Sequence, residues 1–375
     1  MKILRLMGYP IRNFASLERF ILLQGRELIR QGHEFELAFD GVANPAALQA
    51  AREFAPDVPI RVDFPIMMDK GFSLKARARY ARHLRKAVKR DHFDIVHCYF
   101  WPSCSVVNRA ALKLRGVKCL RTVGTVPRAS GKNPLLLWTK AQRIRLMLKN
   151  MNKVICVSES VRARLLECKV PAEKMIVVHN TTDTQFYFPA PHPPVHGFFG
   201  LTFTGRLVAV KEVEVLIQGT AELVRRGMHD VRLNIVGDGD AMPAMQSLVE
   251  SLNASQHVKF YGRVSDVVRI LKEDTNAYVT ASRVEGLPCS VLEAMSCGLP
   301  VVASDIGEHR EAVTDIENGF LFRLHDPSSF ADAIERVRRA DMRQIGLVNR
   351  EKIVARFGLE SWIAKEIAIY RSVAG

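Results

Sequence analysis

The sequence predicts an α/β protein of two domains, each a doubly wound parallel sheet with helices on both faces. Three observations predict it. Strand-like apolar runs alternate with helical ones along most of the chain, as repeated strand–helix–strand units require. The alternation stops at a proline-rich stretch and then restarts. A length of 375 residues also exceeds what one core ordinarily encloses.

The elements follow in order. Residues 2–7 read as a strand. Apolar positions 17, 20, 21, 22, 28 and 29 have helical spacing, and Gly32 closes that helix. Residues 35–39 form a second strand. Leu74, Ala78, Ala81, Leu84 and Val88 mark a basic helix within residues 70–90. A buried strand at 94–100, a helix at 106–114 and a strand at 118–123 come next. A long basic helix covers 134–151, then a strand at 153–157, a short helix capped by Ser158 and a strand at 175–178. Pro189, Pro191, Pro193 and Pro194 interrupt residues 186–199, which read as a hinge. The predicted domains are 1–188 and 198–358, with a final helix at 359–375.

In the second half, strands at 201–204, 231–236 and 258–261 alternate with helices at 213–226 and 242–252. A strand at 277–279 is broken by Gly286 and Pro288. Ser290 is the expected N-cap of a short helix, 291–297, which Gly298 ends before a strand at 301–304.

Seven cysteines without a C-x-x-C pair argue for a reducing compartment and against a zinc site or disulfide framework. No stretch approaches the roughly 18 apolar residues of a membrane span. The first ten residues read as a strand and turn, not a leader. Charge is uneven: residues 1–190 hold 33 Lys and Arg against 15 Asp and Glu, while residues 191–375 hold 21 against 24. The excess in the first half suits an anionic partner, with membrane preferred over nucleic acid, or simply a solvated helix face.

The chemistry gathers in the second half. In S-R-V-E-G-L-P-C-S-V-L-E, Glu285 and Glu293 bracket the start of a short helix. A helix N-terminus favours a diphosphate, and a carboxylate on either side accepts hydroxyl hydrogen bonds. That arrangement suits a nucleotide-sugar. In F-T-G-R-L-V-A-V-K, Gly205 ends a strand and Arg206 and Lys211 follow, both able to reach a diphosphate. In F-Y-G-R-V, Arg263 and Val264 stand at a strand end where a base has room. Asp238 and Asp240 form a D-x-D, but the glycines beside them account for a tight turn, and no metal is assigned.

Together these fragments resemble the retaining glycosyltransferases of family 4, with the GT-B fold: two Rossmann-like domains facing across a cleft. The resemblance is carried by G-R-L-V-x-x-K, I-V-G-D-G, F-Y-G-R-V, E-G-L-P with E-x7-E, G-L-P-V-V-A-S and N-G-F-L-F, over residues 201–323. It implies that Arg206 and Lys211 neutralise the donor diphosphate, that Glu285 lies beside the transferred sugar, and that Glu293 holds the ribose. It places Gly286, Leu287, Pro288, Cys289 and Ser290 against sugar and phosphate, and Arg263 and Val264 near the base. It implies no metal or other cofactor, only the nucleotide-sugar as co-substrate. A glycan or lipid-linked acceptor, in cell-surface polysaccharide or glycolipid synthesis at the cytoplasmic face of the membrane, completes the expectation.

The first half departs from the family pattern. Ala15 and Ser16 stand where two glycines are usual, Gly124 where a histidine is common, and Thr181 in place of a glycine. His97 aligns with a family histidine and Tyr99 replaces a second, so both are candidates on the acceptor or sugar side. A core role for each is the alternative. Two other functions compete: a nucleotide-sugar epimerase of similar shape, and a non-catalytic nucleotide-sugar- or membrane-binding protein.

Overall fold

Among the described residues two separate parallel sheets organise the chain, seven strands in the first unit and six in the second. The computed structural model describes residues 1–64, 74–99, 116–126, 134–191, 197–313 and 319–375. The predicted helix at 106–114, the start of the basic stretch and the middle of the proline-rich segment lie outside the described residues.

The first unit comprises Met1–His179 with Glu360–Gly375. Its elements are β1 (Lys2–Leu6), α1 (Ser16–Arg30), β2 (Glu34–Ala38), α2 (Pro45–Phe54), β3 (Ile60–Arg61), α3 (Leu74–Asp91), β4 (Ile95–Cys98), β5 (Lys118–Val123), α4 (Pro134–Leu148), β6 (Lys153–Cys156), α5 (Glu159–Glu167) and β7 (Met175–Val177). Ser158 caps α5 as expected, accepting the Val161 N–H at 3.1 Å. The sheet runs β3-β2-β1-β4-β5-β6-β7, so chain direction across the sheet reverses between β1 and β4.

The second unit, Asn180–Leu359, holds β8 (Phe199–Thr204), α6 (Val213–Arg225), β9 (Val231–Val236), α7 (Met242–Ser251), β10 (Val258–Gly262), α8 (Val267–Glu273), β11 (Ala277–Thr280), α9 (Cys289–Ser296), β12 (Val301–Ser304), α10 (Gly307–Ala312), β13 (Gly319–Phe322), α11 (Pro327–Arg339) and α12 (Met342–Phe357). α13 (Leu359–Ala374) then returns the chain to the first unit. The second sheet runs β10-β9-β8-β11-β12-β13 and reverses between β8 and β11. β8, β11 and β12 are buried along their whole length, as strands covered on both faces must be.

The sequence drew the first domain to residue 188, but residues 180–188 pack with the second unit. Their polar groups bind there. Tyr187 O accepts from Ser296 Oγ at 2.6 Å and from Arg350 at 2.8 Å, and Thr181 Oγ1 donates to Phe357 O at 2.8 Å.

A buried polar cluster joins α13 to the first sheet. Arg5, on β1, donates to Glu366 Oε2 and to the Tyr370 hydroxyl, each at 2.8 Å. Gln24 of α1 also donates to Glu366, at 2.6 Å. The Arg5 and Glu366 side chains are essentially inaccessible. Truncating the carboxylate leaves a buried guanidinium without its counter-charge, which typically costs 3–5 kcal/mol. Glu366→Ala should therefore destabilise the full chain by about 3 kcal/mol in urea unfolding, and Glu366→Gln by clearly less.

Candidate active site

Open α/β sheets bind ligands beyond the carboxyl ends of the strands where strand order reverses. In the second unit that position lies between β8 and β11, and the loops leaving these strands carry Arg206, Lys211 and Glu285. Main-chain contacts fix the first of these loops. Gly205 N–H donates to Val236 O at 2.9 Å, Leu207 N–H to Asp238 O at 3.0 Å, and Ala241 N–H to Leu207 O at 3.1 Å. The approach is so close that a Cβ on Gly237 would lie 1.8 Å from Gly205 O, and one on Gly239 2.2 Å from Leu207 O. Gly237 also has φ +139°, a conformation that side chains resist. The I-V-G-D-G stretch is therefore a main-chain support for the Arg206 loop. Asp238 accepts the Gly239 N–H at 2.7 Å and pairs with Arg263 at 3.5 Å.

Two ties hold the β11 loop against the β8 loop. Arg283 N–H donates to Val210 O at 3.1 Å, and the Arg283 guanidinium lies 3.8 Å from Glu212. Glu212 is buried with φ +47° and also meets His325 at 2.6 Å. Burial pushes its carboxyl up, and the charges of His325 and Arg283 partly draw it back. A non-glycine residue in this conformation costs about 1–3 kcal/mol. Here it turns the chain directly after Lys211, between a short 3-10 turn and α6.

Lys211 and Glu285 meet as a result. The ammonium lies 2.5 Å from Glu285 Oε1, and both side chains are largely covered. Burial alone would raise the Glu285 carboxyl. The Lys211 charge and hydrogen bond, with a further bond from Ser282, outweigh it and hold the group below its ordinary range. Behind this loop Ser304 Oγ donates to Ser282 O at 2.6 Å, and buried His309 places Nδ1 2.8 Å from Ser304 O. Asn180 Nδ2 donates to Leu287 O at 2.6 Å and so pins the E-G-L-P turn.

α9 starts two residues earlier than expected. Its N-cap is Pro288, and Ser290 lies inside the first turn, so the expected Ser290 cap is corrected. No side chain caps this end. Proline's fixed φ launches the helix, leaving its first amides for another acceptor. Gly286, Leu287 and Pro288 are buried, while Cys289 and Ser290 are half-buried. Glu293 is buried in the second turn of α9. Burial pushes the Cys289 thiol up to about 12, and the charges of Glu293 and Glu285 push the same way. Burial also lifts the Tyr278 phenol to about 12, hydrogen bonds with Ser290 and Thr204 oppose the rise, and Glu293 adds to it. Both carboxylates therefore act on the single thiol between them, which stays protonated and is no nucleophile at neutral pH.

Arg206 is exposed on the β8 loop and forms no ion pair among the described residues. Arg263 is exposed and Val264 half-buried in the loop after β10. His97 and Tyr99 belong to the first unit and are buried. His97 Nδ1 accepts from Arg5 and lies 2.8 Å from the Tyr370 hydroxyl, while Nε2 lies 2.8 Å from Thr122 Oγ1. Burial and the Arg5 charge push His97 well below its ordinary value, so it is neutral, with its proton on Nε2. Sequence reasoning missed the supports Glu212, Ser282, Ser304 and His309. Ser282 and Ser304 lie inside quoted motifs, but the supporting roles of all four rest on side-chain contacts that a linear pattern does not show.

Comparison with known proteins gives consistent matches. Residues 17–186 match Glycosyltransferase Family 4, and residues 199–339 match Glycosyl transferases group 1. The Bacillus subtilis (strain 168) glycosyltransferase EpsD is 30% identical over 68% of this chain and 70% of its own length. The Escherichia coli UDP-Gal:alpha-D-GlcNAc-diphosphoundecaprenol alpha-1,3-galactosyltransferase is 27% identical over 84% of each chain. The crystal structure of Anabaena HepE in complex with UDP and glucose superposes with a TM-score of 0.81 at 20% identity, over 100% of both chains.

Two results should follow from this packing. Gly237→Ala should cost roughly 3 kcal/mol of stability, since backbone and not a flexible side chain blocks the new methyl; chemical unfolding measures it. The Lys211–Glu285 pair stabilises fully above the ordinary glutamate range of about 4.3 and is lost as pH falls through Glu285's lowered folded value. Lys211→Met should thus destabilise at neutral pH, and its cost should shrink below about pH 4 when urea unfolding is repeated across pH.

Proposed function

The chain belongs to glycosyltransferase family 4, with the GT-B fold, and from that membership we propose a retaining transfer of a sugar from a nucleotide-diphosphate sugar to a glycan or lipid-linked acceptor. The observation that carries the reading is the Lys211–Glu285 pair at the β8/β11 reversal point. A cation and a carboxylate held side by side suit a donor whose diphosphate and sugar are joined through one bond.

In this reading the donor diphosphate takes Lys211 from Glu285. Arg206 adds a second cation, and the uncapped amides of α9 add hydrogen-bond donors. Glu285, freed from the ammonium, accepts hydroxyl hydrogen bonds from the sugar. Glu293 takes the ribose hydroxyls, and the loop with Arg263 and Val264 borders the base. As the bond from the anomeric carbon to the diphosphate breaks, its electron pair moves onto phosphate oxygen. Fixed cations stabilise that growing charge more than they stabilise the ground state. The acceptor hydroxyl attacks from the face of departure and passes its proton to the leaving phosphate, which retains configuration without a protein nucleophile. The protonated Cys289 fits that scheme.

The E. coli relative's name specifies a diphosphoundecaprenol-linked acceptor. That relative and the basic first half of this chain support a lipid-linked acceptor at the cytoplasmic membrane face, in polysaccharide or glycolipid synthesis. Among the described residues no helix is long and apolar enough to cross a membrane.

Incubation with a panel of UDP-, GDP- and ADP-sugars tests the reading. Slow release of nucleoside diphosphate from one donor is expected. Free interconversion of sugars would make the protein an epimerase, and binding without turnover a binding module. Lys211→Ala should lower turnover by about 10²- to 10³-fold with the melting transition still cooperative. Unchanged turnover rejects its phosphate role. The anomeric configuration of the product, read by NMR, tests retention.

A further inference from the structure

The first unit carries an apolar surface inside its most basic stretch. From residue 95 to residue 158 the sequence has no Asp or Glu, against twelve Lys and Arg. α4 lies in this stretch. Leu135 is 68% exposed, Trp138 59% and Leu146 46%. At about 100° per residue, Leu135 and Leu146 fall within about 20° of each other on the helix surface, with Trp138 about 60° to one side. Arg143 and Arg145, both exposed, fall about 80° to either side of Leu135. Lys149, just past the helix, is exposed as well. Met147 and Leu148 project from the far side and are buried. The outward face thus carries Leu135, Leu146 and Trp138, with the uncharged Thr139 and Gln142 among them, between cationic borders.

α3 is arranged in the opposite way. Its Tyr80, Ala81, Leu84, Ala87 and Val88 are buried, and Arg79, Arg82, Arg85 and Lys86 face solvent. Among the described residues, 79–91, its apolar stripe is used by the core and the side chains outside are mainly charged.

Three kinds of partner can cover the α4 face. Nucleic acid matches the charge but leaves the leucines unused. A second copy brings arginines against arginines, with no acidic residue on the helix to pair them. An anionic bilayer matches both parts: apolar side chains enter the acyl boundary while arginines reach the phosphates beside them.

We propose that α4 is a membrane-docking element that sets Leu135, Trp138 and Leu146 into the interface of an anionic lipid bilayer, with Arg143, Arg145 and Lys149 on the lipid phosphates. Docking requires neither donor nor acceptor, so it stands or falls separately from the transfer reaction.

Sedimentation of the full chain with phosphatidylcholine vesicles, alone or mixed with phosphatidylglycerol, tests this. The unaltered protein should partition onto the anionic vesicles, with a blue shift in tryptophan emission that Trp138→Phe removes. The triple variant Leu135→Ser, Trp138→Ser, Leu146→Ser should lose partitioning roughly tenfold or more. Its melting transition should be unchanged, because all three side chains are exposed. Arg143→Gln with Arg145→Gln should lose the preference for anionic over neutral vesicles. The proposal fails if the unaltered protein ignores anionic vesicles or if the serine variant binds them equally well. It fails too if the serine changes alter only the oligomeric mass, which would mark a self-association face. Loss of binding in Arg79→Gln, Arg82→Gln, Arg85→Gln, with the serine variant still bound, would assign docking to α3 and overturn it.

Discussion

The contact between Lys211 and Glu285 depends on strand order more than on either residue. The two lie 74 positions apart and meet because β8 and β11 are neighbours in the sheet although β9 and β10 intervene in the chain. The reversal of strand order opens the place, and glycines close the gap. Without side chains at 237 and 239, the backbone after β9 lies directly against the backbone after β8. Glu212, in a conformation that few residues accept, then turns the chain and leaves Lys211 facing the E-G-L-P loop. Backbone geometry thus places the ammonium beside Glu285.

The pair also explains how a buried carboxylate stays ionised. Glu285 loses hydration on burial and regains it as a salt bridge and a hydrogen bond from Ser282. A diphosphate that draws Lys211 away leaves that carboxylate in need of new donors, and sugar hydroxyls are such donors. Phosphate binding and sugar binding are coupled in this account through one ammonium group.

The legible parts of the sequence were those encoded by local pattern. β5, β9 and β12 fall at the residues that apolar runs marked, 118–123, 231–236 and 301–304. The fold class and the glycosyltransferase family were readable because the motifs recur in a fixed order. Long-range features were not readable. The Ser290 cap failed because Pro288 starts the helix and takes the cap position itself. Residues 180–188 looked like the end of the first domain because a proline-rich stretch follows them. Their hydrogen bonds to Ser296 and Arg350 cannot be seen in a linear pattern. The excess charge of the first half was visible, but which helix keeps its apolar face outside was not. α3 and α4 both read as basic helices, and only packing separates them.

Calorimetric titration of the free nucleoside diphosphate into Glu285→Gln tests the central claim most directly. If Lys211 is shared between Glu285 and the donor phosphates, neutralising the carboxylate releases the ammonium. The nucleoside diphosphate should then bind more tightly than to the unaltered protein, while Lys211→Met weakens it. Equal affinity in all three proteins would show that Lys211 does not meet the diphosphate and would contradict the account.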